Sequence, residues 1–284
     1  MFSIKQFLIG TVHYRLYLSI GKKRIIMRLD VKQMLERRSR SGKVPGLLLW
    51  YLRRLFHEDF LNRFLEEGYT GVDFCSKALE YLDVRLEIEG SIPDGGPYTF
   101  VSNHPLGGAD GLALLSIIGQ KSDVMLLGND FLTNIEGLKP MIVPVNKIGM
   151  QSRLLKQGID NAYSGNTHIL DFPAGQVSRR NRGIIEDRKW SKTFLIKSIE
   201  THRDIIPIHF YGTNSRRFYR MGRIQQILKL KFPLGMIFLP DELYRSQGKT
   251  YRIVIGKPIL WNTFDRNGNI NQQVEKIKQA TYAL

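Results

Sequence analysis

The chain has 284 residues, 43% of them hydrophobic, which is enough to bury a sizeable core and argues against disorder. Lys and Arg total 42 against 26 Asp and Glu, a net charge of +16. A surplus of that size implies an anionic partner: nucleic acid, an anionic membrane surface, or an acidic substrate or carrier.

The single cysteine, Cys75, excludes an internal disulfide and any multi-cysteine zinc site, and it fits a reducing compartment. Residues 1–26 show little structural logic. Lys5 and Arg15 break any apolar core and no small-residue cleavage site follows, so no secretory signal is read there. A more regular helical pattern opens at Met27 with Arg28-Leu29-Asp30-Val31, which makes Met27 a candidate start of translation. Residues 1–83 read as a helical, basic, membrane-associating segment, with Arg37, Arg38, Arg40 and Lys43 as a charged cluster. The stretch Leu47-Leu48-Leu49-Trp50-Tyr51-Leu52-Arg53-Arg54-Leu55-Phe56 suits a helix lying in a membrane interface. It suits equally a core-packing helix with a solvated basic edge. A bilayer span needs about 20 mostly apolar residues. The run from Pro45 to Leu52 is much shorter and closes on Arg53 and Arg54, so association with a membrane would be peripheral. A further helix is expected from near Thr70 through Phe74, Ala78, Leu79 and Leu82.

At Val84 the pattern changes, and the domain boundary is placed between residues 83 and 84. Val84-Arg85-Leu86-Glu87-Ile88-Glu89 alternates with period two and predicts a strand. Pro93-Asp94-Gly95-Gly96-Pro97 is a turn, and residues 98–101 are a second strand. A helix follows through Leu112, Leu114, Leu115, Ile117 and Ile118. Further strands are predicted over 124–127, 141–145, 168–172, 205–211 and 251–255, with helices near 150–163, 190–203 and 215–230. Strands alternating with helices define an α/β class with helices covering the sheet.

Three segments carry candidate chemistry. His104 lies after a predicted strand and before a predicted helix, where α/β folds place functional loops, and Asp110 follows six positions on, across Gly107 and Gly108. A carboxylate beside an imidazole fixes its tautomer and lets the ring take a proton from a hydroxyl. Alternatively the pair only caps a helix. In Asp171-Phe172-Pro173-Ala174-Gly175-Gln176-Val177-Ser178-Arg179-Arg180 a strand ends in a Pro/Gly turn before paired arginines, whose forks suit phosphate or carboxylate. The plainer reading is a solvated basic loop. Ile205-Ile206-Pro207-Ile208-His209-Phe210-Tyr211 reads as a buried strand in which His209 is a satisfied core histidine.

In this order the segments resemble the glycerolipid acyltransferase family, the lysophosphatidate acyltransferase-like superfamily. Asn103-His104 with Asp110 is similar to the family's Asn-His-x4-Asp. Ile142-Val143-Pro144-Val145-Asn146-Lys147 resembles its Pro–basic element, Phe172-Pro173-Ala174-Gly175 its Phe-Pro-Glu-Gly, Ile206-Pro207-Ile208 its Ile-Pro strand, and Ile255-Gly256-Lys257-Pro258-Ile259 its late Gly-Lys-Pro strand end. The match covers about residues 84–262. Two departures stand out. The His-to-Asp spacing is one residue longer, which Gly107 and Gly108 would absorb, and Ala174 replaces the glutamate. This wording resembles a branch found in bacterial amino-acid lipid synthesis, whose acceptor is the hydroxyl of an N-(3-hydroxyacyl) amino acid.

The resemblance implies a mixed sheet flanked by helices and an O-acyl transfer from a thioester to a lipid hydroxyl, lysophosphatidate-like or N-(3-hydroxyacyl) amino acid. His104 and Asp110 are the expected catalytic pair. Asn103, Gly107, Gly108, Lys147, Phe172, Pro173, Gly175, Ser178, Arg179 and Arg180 are the expected substrate-binding residues, with a main-chain N–H or polar group near the Gly175 turn steadying the oxyanion. No metal and no resident cofactor is expected; acyl carrier protein or coenzyme A would bring the acyl group. The other expected partner is an anionic membrane, at its cytoplasmic face. Nucleic acid is the rival partner for so basic a chain, but no zinc finger, RNA-binding signature or basic heptad region is present. A hydrolase would need a Gly-x-Ser-x-Gly or comparable setting, which is absent. A catalytically silent lipid-binding module on the same fold is the third alternative.

Overall fold

The structure is a computed structural model that describes residues 28–36, 43–145, 153–181, 183–228 and 234–284. Met27, Arg37, Arg38, Arg40, Asn146 and Lys147 lie outside them. Four helices come first: α1 (Val31–Glu36), α2 (Gly46–Leu55), α3 (Glu58–Leu65) and α4 (Gly71–Tyr81). Then follow β1 (Arg85–Glu89), β2 (Thr99–Ser102), α5 (Ala109–Gly119), β3 (Val124–Asn129) and β4 (Ile142–Val145). The middle of the chain holds α6 (Arg153–Ser164), β5 (His168–Asp171), the short strands β6 (Arg179–Asn181) and β7 (Ile184–Glu186), and α7 (Thr193–Glu200). The last part contains β8 (Ile205–Phe210), α8 (Arg216–Ile227), α9 (Leu239–Tyr244), β9 (Thr250–Ile255) and α10 (Ile270–Tyr282).

Seven strands form one mixed sheet in the order β1-β9-β8-β2-β5-β3-β4. All neighbours are parallel except β8 and β9. The central strands are buried on both faces, which is why their sequences read as continuous apolar runs. Successive residues still point to opposite faces. Phe100, Leu126, Leu170 and Ile206 meet α4 and α5 on one side, in a core that also contains Phe64, Leu65, Phe74 and Ala78. Val101 and Ile205 meet α7 and α10 on the other side, through Trp190, Phe194, Leu195, Val274 and Ile277. Leu127 and Ile169 meet α6. The helices before residue 83 and the sheet after it therefore share one hydrophobic core.

β2, β5 and β8 run parallel at the middle of the sheet, so the loops after Ser102, Asp171 and Phe210 emerge at the same edge. That edge is where open α/β sheets place their sites. The predicted strands and helices are all present, with ends shifted by a few residues. Two features were not expected. The β6–β7 hairpin sits in what the sequence presented as a loop. Helix α10 has no clean apolar stripe and buries only Val274, Ile277 and Thr281. Its start is marked by Asn269, whose side chain accepts from the Gln272 N–H, an Asn-x-x-Gln capping signature. No described helix is long and apolar enough to cross a membrane.

One buried arginine ties the layers together. Arg203 is 1% exposed, and its guanidinium donates to the carbonyls of Tyr163, Gly165 and Thr167, closing the C-terminal end of α6 against the turn into β5. Burial pushes its proton affinity down without discharging it. Arg203→Leu is expected to lower unfolding stability by roughly 3 kcal/mol, because three main-chain carbonyls lose their donors. A urea titration reads this as a lower midpoint with an unchanged slope; an unmoved midpoint refutes the assignment.

Candidate active site

The segment that links β2 to α5 folds around one carboxylate. Asp110 is fully buried in the first turn of α5. Its Oδ2 accepts from the His104 ring Nδ1 at 3.0 Å and from the N–H groups of Leu106 at 2.9 Å and Gly107 at 3.2 Å. Its Oδ1 accepts from the N–H of Gly111 at 2.9 Å. Burial pushes the carboxyl pKa up, but the adjacent imidazole and the Leu106 and Gly107 N–H groups outweigh it and hold Asp110 below the usual range. The positive end of the α5 dipole acts in the same direction. An ionised Asp110 requires a proton on Nδ1, so the neutral ring carries its lone pair on Nε2.

Gly107 has φ +82, and a Cβ there would come within 2.6 Å of Val177 and 2.8 Å of Leu239. Only glycine lets the loop turn tightly enough to aim its N–H at Asp110. The extra residue between His104 and Asp110 is thereby absorbed. Gly108 is the N-cap residue just before α5, beside Leu243. Asn103, just before the histidine, is buried and bonded at both ends of its carboxamide to the main chain of Phe210, at 2.9 and 2.7 Å. It straps the end of β2 to the end of β8. Asn214 adds a second strap from beyond β8 by donating to the carbonyls of Pro105 and Leu106.

The Phe172–Gly175 turn packs directly on this loop. The Phe172 ring stacks on the His104 ring, 4.2 Å between centroids and 27° between planes. Pro173 receives the N–H of Ser191. Gly175 has φ +65, and its N–H is committed to the carbonyl of Phe172 at 2.9 Å, so this N–H is not an oxyanion donor. Ala174 sits where the resemblance expects a glutamate and packs against the core cluster that contains Trp190 and Phe194. Ser178 donates its N–H to the carbonyl of His104 at 2.8 Å, which places Arg179 one residue from the His104 loop. Arg179 runs over the Phe218 ring and into the space left by Gly222 and Gly235. Its buried Nε has no hydrogen-bond partner. Burial and then the neighbouring Arg188 both push its proton affinity down. Arg180 lies over the Tyr219 ring, 5.5 Å from its centroid. Among the described residues no carboxylate pairs with Arg179, Arg180 or Arg188, which makes this a cluster of uncompensated cations.

The residue that sequence reasoning missed is Asp187. It is 3% exposed and lies just beyond β7. Its carboxylate accepts from Ser178 Oγ at 2.6 Å, Trp190 Nε1 at 2.9 Å and the N–H of His104 at 3.2 Å. Its own N–H donates to the Tyr282 hydroxyl and its carbonyl receives Lys278 Nζ, both from α10. Burial raises its pKa despite these donors, the opposite of Asp110. No local spacing announces it, because two of its partners are 83 and 95 residues away.

His209 was expected to be a satisfied core histidine. It is only half-buried, stacked on Tyr211 at 4.1 Å, and its Nδ1 has no hydrogen-bond partner. Burial and then Arg252 lower its pKa, so it stays neutral. Cys75 is buried, and burial pushes its thiol up to about 12, which makes it inert. No group of three or more potential metal ligands occurs among the described residues. An open cleft of about 1020 Å³ lies elsewhere, between the N-terminal helices, lined by Arg28, Trp50, Arg53, His57 and Arg63 among others. It contains none of the residues around His104.

Residues 34–284 match a family model described as acyltransferase. A lyso-glycine lipid O-acyltransferase from Phocaeicola vulgatus is 42% identical over 269 residues, covering 91% of this chain and 96% of its own length. One from Bacteroides thetaiotaomicron is 40% identical over 266 residues, covering 90% and 97%. The crystal structure of a 1-acyl-sn-glycerophosphate (LPA) acyltransferase from Thermotoga maritima aligns over 89% of this chain and 86% of that one, with 14% identity and a TM-score of 0.47.

Because the folded pKa of Asp110 is depressed, its contribution to stability is fully present above the unfolded carboxylate value of about 3.9 and is lost as pH falls through the lower folded value. Asp110→Ala leaves three main-chain N–H groups without an acceptor and is expected to cost about 3 kcal/mol at neutral pH. The gap between wild type and variant should narrow in urea titrations below about pH 4. A gap that is constant with pH would show that the charge of Asp110 plays no part.

Proposed function

The chain belongs to the acyltransferase family, and on that footing we propose that it esterifies the hydroxyl of a lyso-glycine lipid, an N-(3-hydroxyacyl)glycine, at His104. It is an enzyme of lipid biosynthesis that transfers an acyl group to a lipid acceptor. The observation that carries the finer reading is the join between Ser178 and His104, which sets a proton acceptor beside arginines that pair with no carboxylate among the described residues.

His104 Nε2 takes the acceptor's hydroxyl proton while Asp110 holds the Nδ1–H and stabilises the imidazolium. The alkoxide oxygen bonds to the thioester carbonyl carbon. The tetrahedral intermediate then expels the thiolate, the C–S bond breaks, and the imidazolium returns the proton to sulfur. With the Gly175 N–H engaged in its turn, the oxyanion donors fall to the N–H groups of Gln176 and Val177, which take no partner among the described residues. Phe172 keeps the imidazole upright by stacking. Arg179 and Arg180 receive the carboxylate of the acceptor, and Lys147, outside the described residues, remains a candidate second contact. A carboxylate fits this branch better than a phosphate monoester, because Ala174 removes the polar group that the resemblance associates with phosphate acceptors. The donor is an acyl thioester on acyl carrier protein or coenzyme A. The enzyme works peripherally on the cytoplasmic face of an anionic membrane, with α2 as the interfacial helix.

His104→Ala is expected to abolish transfer in a folded protein, and retained turnover overturns the mechanism. Arg179→Met should raise KM for N-(3-hydroxyacyl)glycine by roughly 10- to 100-fold with a smaller change in kcat, in line with the loss of a charge-assisted pair. The same assay, run on lysophosphatidate and with both donor types, tests the acceptor and the carrier. Preference for lysophosphatidate sinks the glycine reading.

A further inference from the structure

Helix α8 is two-sided. Phe218, Tyr219 and Gly222 face inward, where Phe218 and Gly222 cradle Arg179 and Tyr219 lies under Arg180. The outward side carries Arg216, Arg220, Arg223, Ile224 and Ile227, all exposed, with no acidic residue anywhere in the helix. Ile224 is 40% exposed, Ile227 68% and Leu228 61%. Their spacing of i, i+3 and i+4 puts the three on one face. Helix α2 has a similar apolar face. Leu47, Trp50 and Tyr51 have the same spacing, are exposed, and precede Arg53, which pairs with Glu58 at 2.9 Å, and the exposed Arg54.

The two helices are joined. Arg217 Nη2 donates to the Tyr51 hydroxyl at 2.7 Å, and the inner faces of both helices pack in one cluster with Leu52, Leu55, Phe218 and Tyr219. Arg217 also approaches Asp241 and lies over Phe238, so it is held by the protein. Arg216, Arg220 and Arg223 pair with no carboxylate among the described residues. Apolar side chains left in water beside unpaired cations complement a surface that is anionic outside and hydrocarbon beneath.

We infer that α8 and α2 together form the surface that lies on an anionic bilayer, so that the α8 backbone separates the lipid headgroups from Arg179 by one helix. The inference rests on the peripheral-membrane reading above and extends it to an element far from the N-terminus. An acidic acyl carrier protein would also meet the arginines, but it would leave the two apolar triplets unexplained.

The test uses the full chain and flotation with phosphatidylcholine vesicles, with and without phosphatidylglycerol. The wild type floats with the anionic vesicles. The triple variant Arg216→Gln, Arg220→Gln, Arg223→Gln is expected to bind them about 100-fold more weakly, and Ile224→Ser, Ile227→Ser, Leu228→Ser also to weaken binding. Turnover of an acceptor embedded in those vesicles falls in parallel, while turnover in neutral detergent micelles stays at the wild-type level. The acceptor assay itself reports separately on the glycine-lipid reading. Wild-type binding by both triple variants overturns the inference, as does a wild type that fails to float. A matching loss in micelles overturns it in favour of a structural role. Unchanged flotation with a selective loss of turnover on an acyl carrier protein donor overturns it in favour of a protein-docking helix.

Discussion

A carboxylate with no surface in water has to be satisfied from within, and the loop between β2 and α5 is shaped by satisfying Asp110. Three main-chain N–H groups and one ring N–H converge on two oxygens. Each constrains something else. The Leu106 and Gly107 N–H groups can arrive only if the chain turns back at a left-handed glycine. The Gly111 N–H arrives because Asp110 lies in the first turn of α5. The ring N–H arrives because Phe172 and the Asn103 strap fix the position of His104. The helix N-terminus favours the charge, and the charge fixes the tautomer. Loop shape, helix start and base orientation are thus one problem with one solution.

The second buried carboxylate does a different job. Asp110 meets the ring of His104 and Asp187 meets its backbone. Asp187 also holds Ser178, which bonds to the carbonyl of His104, so the His104 loop and the Arg179–Arg180 hairpin are clamped through both the N–H and the carbonyl of His104. The contrast in their pKa shifts follows from the donors. Asp110 has the imidazole and three N–H groups to offset burial, whereas Asp187 has a hydroxyl, an indole and one N–H, and burial prevails. Two buried carboxylates thus hold one histidine, Asp110 at its ring and Asp187 at its main chain.

What could be read in the sequence follows from how local each determinant is. The central strands were legible because burial on both faces writes itself as a run of apolar residues, as in Ile205-Ile206-Pro207-Ile208. The His104–Asp110 pair was legible because both partners sit in one short loop bounded by a strand and a helix. Helix α10 was not, since its buried face is only Val274, Ile277 and Thr281 and its cap is the sole local mark. Asp187 was not, since apart from Trp190 and Ser178 its partners come from the loop after β2 and from α10, which only the fold brings together. Residues 47–56 divide between two faces. Leu52 and Leu55 are core, while Leu47, Trp50 and Tyr51 face outward. A helical stretch with apolar residues on more than one face can do both, and sequence order does not say which residue takes which face.

On the proposed reading, in which the acceptor is an acyl amino acid, the position of the arginines bears on how that amphiphile is handled. An acyl amino acid has one charged end and one greasy end, and it resides in a membrane with the charge at the interface. An enzyme acting on its hydroxyl must keep the headgroup near the interfacial plane and still shield the reaction from water. On that reading Arg179 serves the first need by lying against the inner face of α8, with no acidic partner among the described residues to compete for it. The stacked His104 and Phe172, reached through Ser178, meet the second from inside the fold. Uncompensated guanidinium groups at the site would be an electrostatic liability in an enzyme for neutral acceptors, because burial and Arg188 both act against the charge on Arg179. An anionic acceptor relieves both, so the binding energy of its headgroup is largest where the protein alone is least comfortable.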